Sequence, residues 1–140
     1  MAFFKSKEDD QPKVAQHMSI DQVQMMILDA VTQQFGDSRA VLPDFSVVSG
    51  WATADFIAFR SFDVQVRVGM TPEDDRDINR LKVLVAIGPR FVALTDLLAT
   101  DVRDKYQWTC TEANLAADMS LLEQYLSWRL TPEQRAKFEN

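Results

Sequence analysis

The sequence is poor in the residues that most often carry chemistry. Its 140 positions hold one cysteine, one histidine and four glycines. With no second cysteine, Cys110 has no internal disulfide partner, which fits a reducing compartment. Lacking a neighbouring base, it is expected to be a small packing residue. His17 lies in a polar N-terminal stretch, so no serine triad can be assembled around it. One Cys and one His in distant segments make no zinc site. Phosphate-cradling loops need clustered glycines, whose backbone N–H groups approach the ligand closely. Gly36, Gly50, Gly69 and Gly88 are isolated, and three fall at expected element ends. No apolar run approaches the roughly 18–20 residues that span a bilayer. The stretch from Met1 to Asp10 also lacks the apolar segment of a signal peptide. The sequence therefore predicts a cytoplasmic, non-enzymatic protein with no membrane partner, no cofactor and no metal.

What remains is ordinary globular material. Hydrophobic residues make up 46% of the chain, enough for a real core, and 26% are charged. The net charge of −6 opposes general attraction to duplex DNA or an anionic membrane but leaves a local basic patch open. One domain suits this length. Residues 1–18 are expected to form a flexible arm, and 19–140 a single α+β domain.

Ser19 with Gln22 makes a capping box, and Ile20, Val23, Ile27, Ala30 and Val31 follow helical spacing, predicting a helix over 19–35 that Gly36 stops. Three strands are expected next. The first alternates through Phe45, Val47, Ser49 and Trp51, with a turn at Thr53-Ala54-Asp55. The second runs from Phe56 to Val68 with a bulge near Arg60, where the alternation breaks. The third is Leu81 to Ile87, stopped by Gly88-Pro89. Helices should follow: one through Phe91, Leu94, Leu98 and Val102, a second capped by Thr109 with Glu112, and a short one opened by Thr131 and Pro132. The predicted architecture is a three-stranded antiparallel meander preceded by one helix and followed by two to three helices on one face.

Glu73, Asp74, Asp75 and Asp77 form an acidic run, and Asp75-Arg76-Asp77-Ile78-Asn79 has alternate oxygen ligands like the start of a calcium loop. Arg80 occupies the required glycine position and Ala86 that of the closing glutamate, which argues for a solvated connection instead.

Two surfaces are candidates for function. If the long strand is unbroken, Phe59, Ser61, Asp63, Gln65 and Arg67 share one face, and Lys82 joins them. Trp51, Arg60 and Arg80 are close in sequence. Aromatic rings between cations suit single-stranded nucleic acid, whose bases stack on rings at about 1–3 kcal/mol each while Arg and Lys follow phosphates. The sharper expectation is thus an accessory protein binding single-stranded DNA or RNA through Trp51, Phe59, Arg60, Arg67, Arg80 and Lys82. The second surface belongs to the helix after Thr109. Beyond its stripe of Leu115, Met119, Leu122 and Leu126 it carries Leu121, Tyr125 and Trp128, a wider apolar face than a small sheet needs. Such a face is either buried between neighbouring helices or a subunit or partner surface, and the second reading makes the chain a protein-interaction module, adaptor or chaperone-like homodimer. In size, acidity and mixed content the chain is similar to small acidic secretion chaperones. Those place further strands after the second helix, and no motif or residue role carries over.

Overall fold

A computed structural model describes residues 18–41, 43–71, 75–98 and 109–138. The expected arm, apart from Met18, lies outside the described residues, as do Glu73, Asp74 and Val102.

Helix α1 (Ile20–Arg39) opens with the Ser19 capping box: the Gln22 backbone donates to the Ser19 hydroxyl, and the Gln22 side chain accepts from the Ser19 N–H. Val23, Ile27, Val31 and Phe35 recur every four residues and are fully buried. Gly36 breaks the helix with φ 69° and ψ 178°, and one further turn reaches Arg39. The Arg39 guanidinium bonds back to the Phe35 and Gln34 carbonyls at 2.7 and 2.8 Å, satisfying acceptors that the break leaves open.

Five strands follow, each antiparallel to its neighbour, in the order β1 (Asp44–Val48), β2 (Trp51–Ala58), β3 (Phe62–Gly69), β4 (Leu81–Ile87) and β5 (Arg90–Ala93). The class is α+β as expected. The strand count and the helix arrangement are not, and the reasons lie in the turns. Val48 pairs with Trp51, so Ser49-Gly50 forms a two-residue hairpin with positive φ at both positions (53° and 82°). The segment Thr53-Ala54-Asp55, expected as a turn, lies mid-strand, with Thr53 and Ala54 buried. The expected bulge near Arg60 is instead a full reversal. Ala58 pairs with Phe62, the Ser61 N–H donates to the Ala58 carbonyl, and Phe59 and Arg60 both take positive φ (53° and 55°). Gly88-Pro89 turns the chain into β5, so Phe91 is a strand residue rather than the start of a helix.

Register assigns the two faces. Ala52, Ala54, Phe56 and Ala58 pair with Val68, Val66, Val64 and Phe62, and Val64, Val66 and Val68 pair with Val85, Val83 and Leu81. These residues form the core face, closed by α1 and by α3 (Glu112–Arg129), whose Leu115, Met119, Leu122 and Leu126 are all fully buried. Glu123 ties the two helices together, accepting from Gln34 at 2.8 Å and pairing with Arg39. Helix α2 (Leu94–Leu98) is short and buries Leu94. The cap of α3 is Thr111, accepting from the Asn114 N–H, and not Thr109, whose residue bridges to Arg80. Helix α4 (Pro132–Ala136) has the predicted Thr131–Gln134 capping box with Pro132 in its first turn.

Candidate functional site

On the outer sheet face, paired residues form rows across the strands. One row is Ser46, Thr53, Arg67 and Lys82. The next holds Asp44, Asp55, Gln65 and Leu84. Trp51 sits beside the first row, opposite Gly69. The chain after β3 passes close over Gly69, where any Cβ would overlap the Asp77 carbonyl oxygen, so the position requires glycine. Trp51 is 8% exposed. The Arg67 guanidinium lies 5.1 Å from its ring centroid and the Lys82 ammonium 4.6 Å.

Three of the six residues expected to bind nucleic acid thus converge: Trp51, Arg67 and Lys82. The other three do not join them as an open platform. Phe59 is 4% exposed and lies in the core, in ring contact with Phe35 and Phe138 at centroid distances of 5.9 and 5.1 Å. Its assignment to the outer face assumed an unbroken strand, and the reversal at Phe59-Arg60 turns its side chain inward. Arg60 is exposed at that turn, over the Phe138 ring. Arg80 precedes β4 and pairs with Asp77 at 3.2 Å. An unstacked base therefore meets no bare ring among the candidates, since Phe59 is sealed and Trp51 already carries two cations.

The helical surface is more open. Leu121, Tyr125 and Trp128 recur at i, i+4 and i+7 on α3, one face of a helix displaced from the buried stripe. Leu97 and Leu98 of α2 join Leu121, Gln124, Tyr125 and Trp128 around a shallow apolar groove. Trp128 is 79% exposed, the most exposed large hydrophobic side chain among the described residues. The Tyr125 hydroxyl is held by Arg129 at 3.3 Å, and the same guanidinium lies over the Tyr125 and Phe62 rings.

Comparison with protein-family models, curated proteins and solved structures finds no match. What the chain does must therefore be argued from its own surfaces.

Burial pushes the Cys110 thiol up to about 12, with the nearby Asp118 carboxylate adding to the shift. A thiol so held is protonated and unreactive near neutrality. Among the described residues no three His, Cys, Asp or Glu side chains cluster to hold a metal ion. No described helix is long and apolar enough to cross a membrane.

Proposed function

We propose that this protein is a non-enzymatic interaction module that self-associates through the α2–α3 groove, with Trp128, Tyr125 and Leu121 as anchors. The observation that carries the reading is Trp128, an indole left almost wholly in water beside Leu97, Leu98, Leu121 and Tyr125. Covering such a side chain is worth on the order of 3 kcal/mol, and Trp and Tyr are the residues that most often dominate interfaces. Among the described residues the groove is lined by apolar and neutral polar side chains, with the Arg129 guanidinium at its edge over Tyr125. Two copies can therefore meet through their apolar strips in an isologous contact.

The single-stranded nucleic-acid reading of the outer sheet face has less support. It needs exposed rings, and the two expected to stack bases are occupied or buried. Asp44 and Asp55 also lie one row from the cations and would repel a continuous phosphate backbone.

Light scattering on the full chain tests the self-association reading. Dimers are expected, with Trp128→Glu and Tyr125→Glu each shifting the population to monomers while the thermal midpoint of the monomer stays close to wild type. A wild-type protein that is monomeric at high micromolar concentration overturns it.

A further inference from the structure

The outer sheet face holds a feature that self-association leaves unused. Arg67 and Lys82 stand directly opposite each other on β3 and β4. Like charges at opposed positions repel and cost stability. Such pairs are usually relieved by a carboxylate, yet the ion pairs among the described residues are Arg39–Glu123 and Arg80–Asp77, and neither involves these two cations. In the adjacent row Asp55 accepts from the Gln65 amide at 2.9 Å, and neither it nor Asp96 across the cleft forms an ion pair with the two cations. What steadies the two cations is the Trp51 ring. A guanidinium or ammonium resting against an aromatic face keeps N–H donors directed away from the ring. Both side chains are partly buried, and Lys82 also borders a surface cleft with Arg80, Leu84, Ala93, Thr95 and Asp96.

We infer that Arg67 and Lys82, braced on Trp51, form a binding site for a small oxyanion of the phosphate type. The guanidinium offers a planar fork of donors and the ammonium a point charge, a combination that matches two oxygens of one tetrahedral anion. The aspartates in the adjacent row limit the site to a compact anion rather than a polymer. Binding relieves the repulsion between the cations, so the anion stabilises the fold as it binds.

Calorimetric titration of the full chain with inorganic phosphate and with pyrophosphate, at ionic strength held constant with sodium chloride, tests this. Saturable binding is expected, tighter for pyrophosphate. Arg67→Gln and Lys82→Gln should each weaken it by about tenfold or more, the loss of one charge-assisted hydrogen bond. Lys82→Arg should restore most of it. Absence of saturable heat at millimolar anion overturns the site, as does undiminished binding in the folded Arg67→Gln/Lys82→Gln double variant. An oligothymidylate that binds far more tightly than pyrophosphate would also overturn it, in favour of a nucleic-acid surface. None of these outcomes depends on the α2–α3 groove.

Discussion

Phe59 shows how a single residue can reverse a functional reading. It combines positive φ with near-complete burial, two properties that rarely meet in a bulky side chain. The left-handed conformation costs about 1–2 kcal/mol, and the ring contacts with Phe35 and Phe138 offset it. The Phe59 N–H also donates to the Arg39 carbonyl, fixing the turn to the end of α1. Phe59→Ala should therefore destabilise the fold by roughly 3–5 kcal/mol, read as a lower urea midpoint, rather than weaken ligand binding in a folded protein. Cys110 makes a second prediction at this scale. Its folded pKa lies above the unfolded value of 9.0, reaching about 12. The unfolded chain thus releases this proton first, and the contribution to stability is complete below pH 9 and is lost as pH rises from there toward 12. A thiol reagent at pH 8 should label Cys110 only as fast as the protein opens, and a labelling rate in the native state equal to that in urea would contradict its burial.

Among the elements, those with chemical punctuation were readable in advance. The capping boxes at Ser19 and Thr131 and the buried stripe of α3 each rest on a local signal with one structural meaning, whereas Gly36 kinks α1 without ending it. The strands were harder because their turns carry weak signals. Ser49-Gly50 was absorbed into an apparent alternation, and Phe59-Arg60 contains no Gly, Asn or Asp to mark a left-handed turn. Thr53 and Ala54 looked like turn residues because they are small, yet β2 needs small side chains where Ala54 faces Val66. The candidate site divided along the same line. The alternation of β3 puts Arg67 on the outer face, where the register pairs it with Lys82, while the hidden turn takes Phe59 into the core. The hairpin yields its own test. Ser49 takes positive φ without being a residue that favours it, so Ser49→Asn should supply the preferred Asn-Gly pair and raise stability by roughly 0.5–1 kcal/mol. A lowered thermal midpoint in that variant would contradict the turn geometry.

At the scale of the whole molecule, the core face, α1 and α3 form one continuous apolar cluster that needs no partner to close. The apolar surface left outside it is unevenly distributed. On α3 it forms a strip ending at Trp128, and Val47, Val48, Ile57 and Phe91 are exposed on the sheet, which also carries Arg67 and Lys82. The α3 strip suits apolar contact and the Arg67–Lys82 pair suits charge. Salt should separate them, because burial of apolar surface is little screened whereas a contact between an anion and exposed cations weakens as ionic strength rises. The account rests most heavily on Trp128 being covered when two chains meet. Acrylamide quenching of its fluorescence, isolated as the difference between wild type and Trp128→Phe and followed over a dilution series, measures that directly. Trp128 should be shielded at high protein concentration and become freely quenched on dilution. An indole quenched equally at every concentration would contradict the claim that this strip is the working surface.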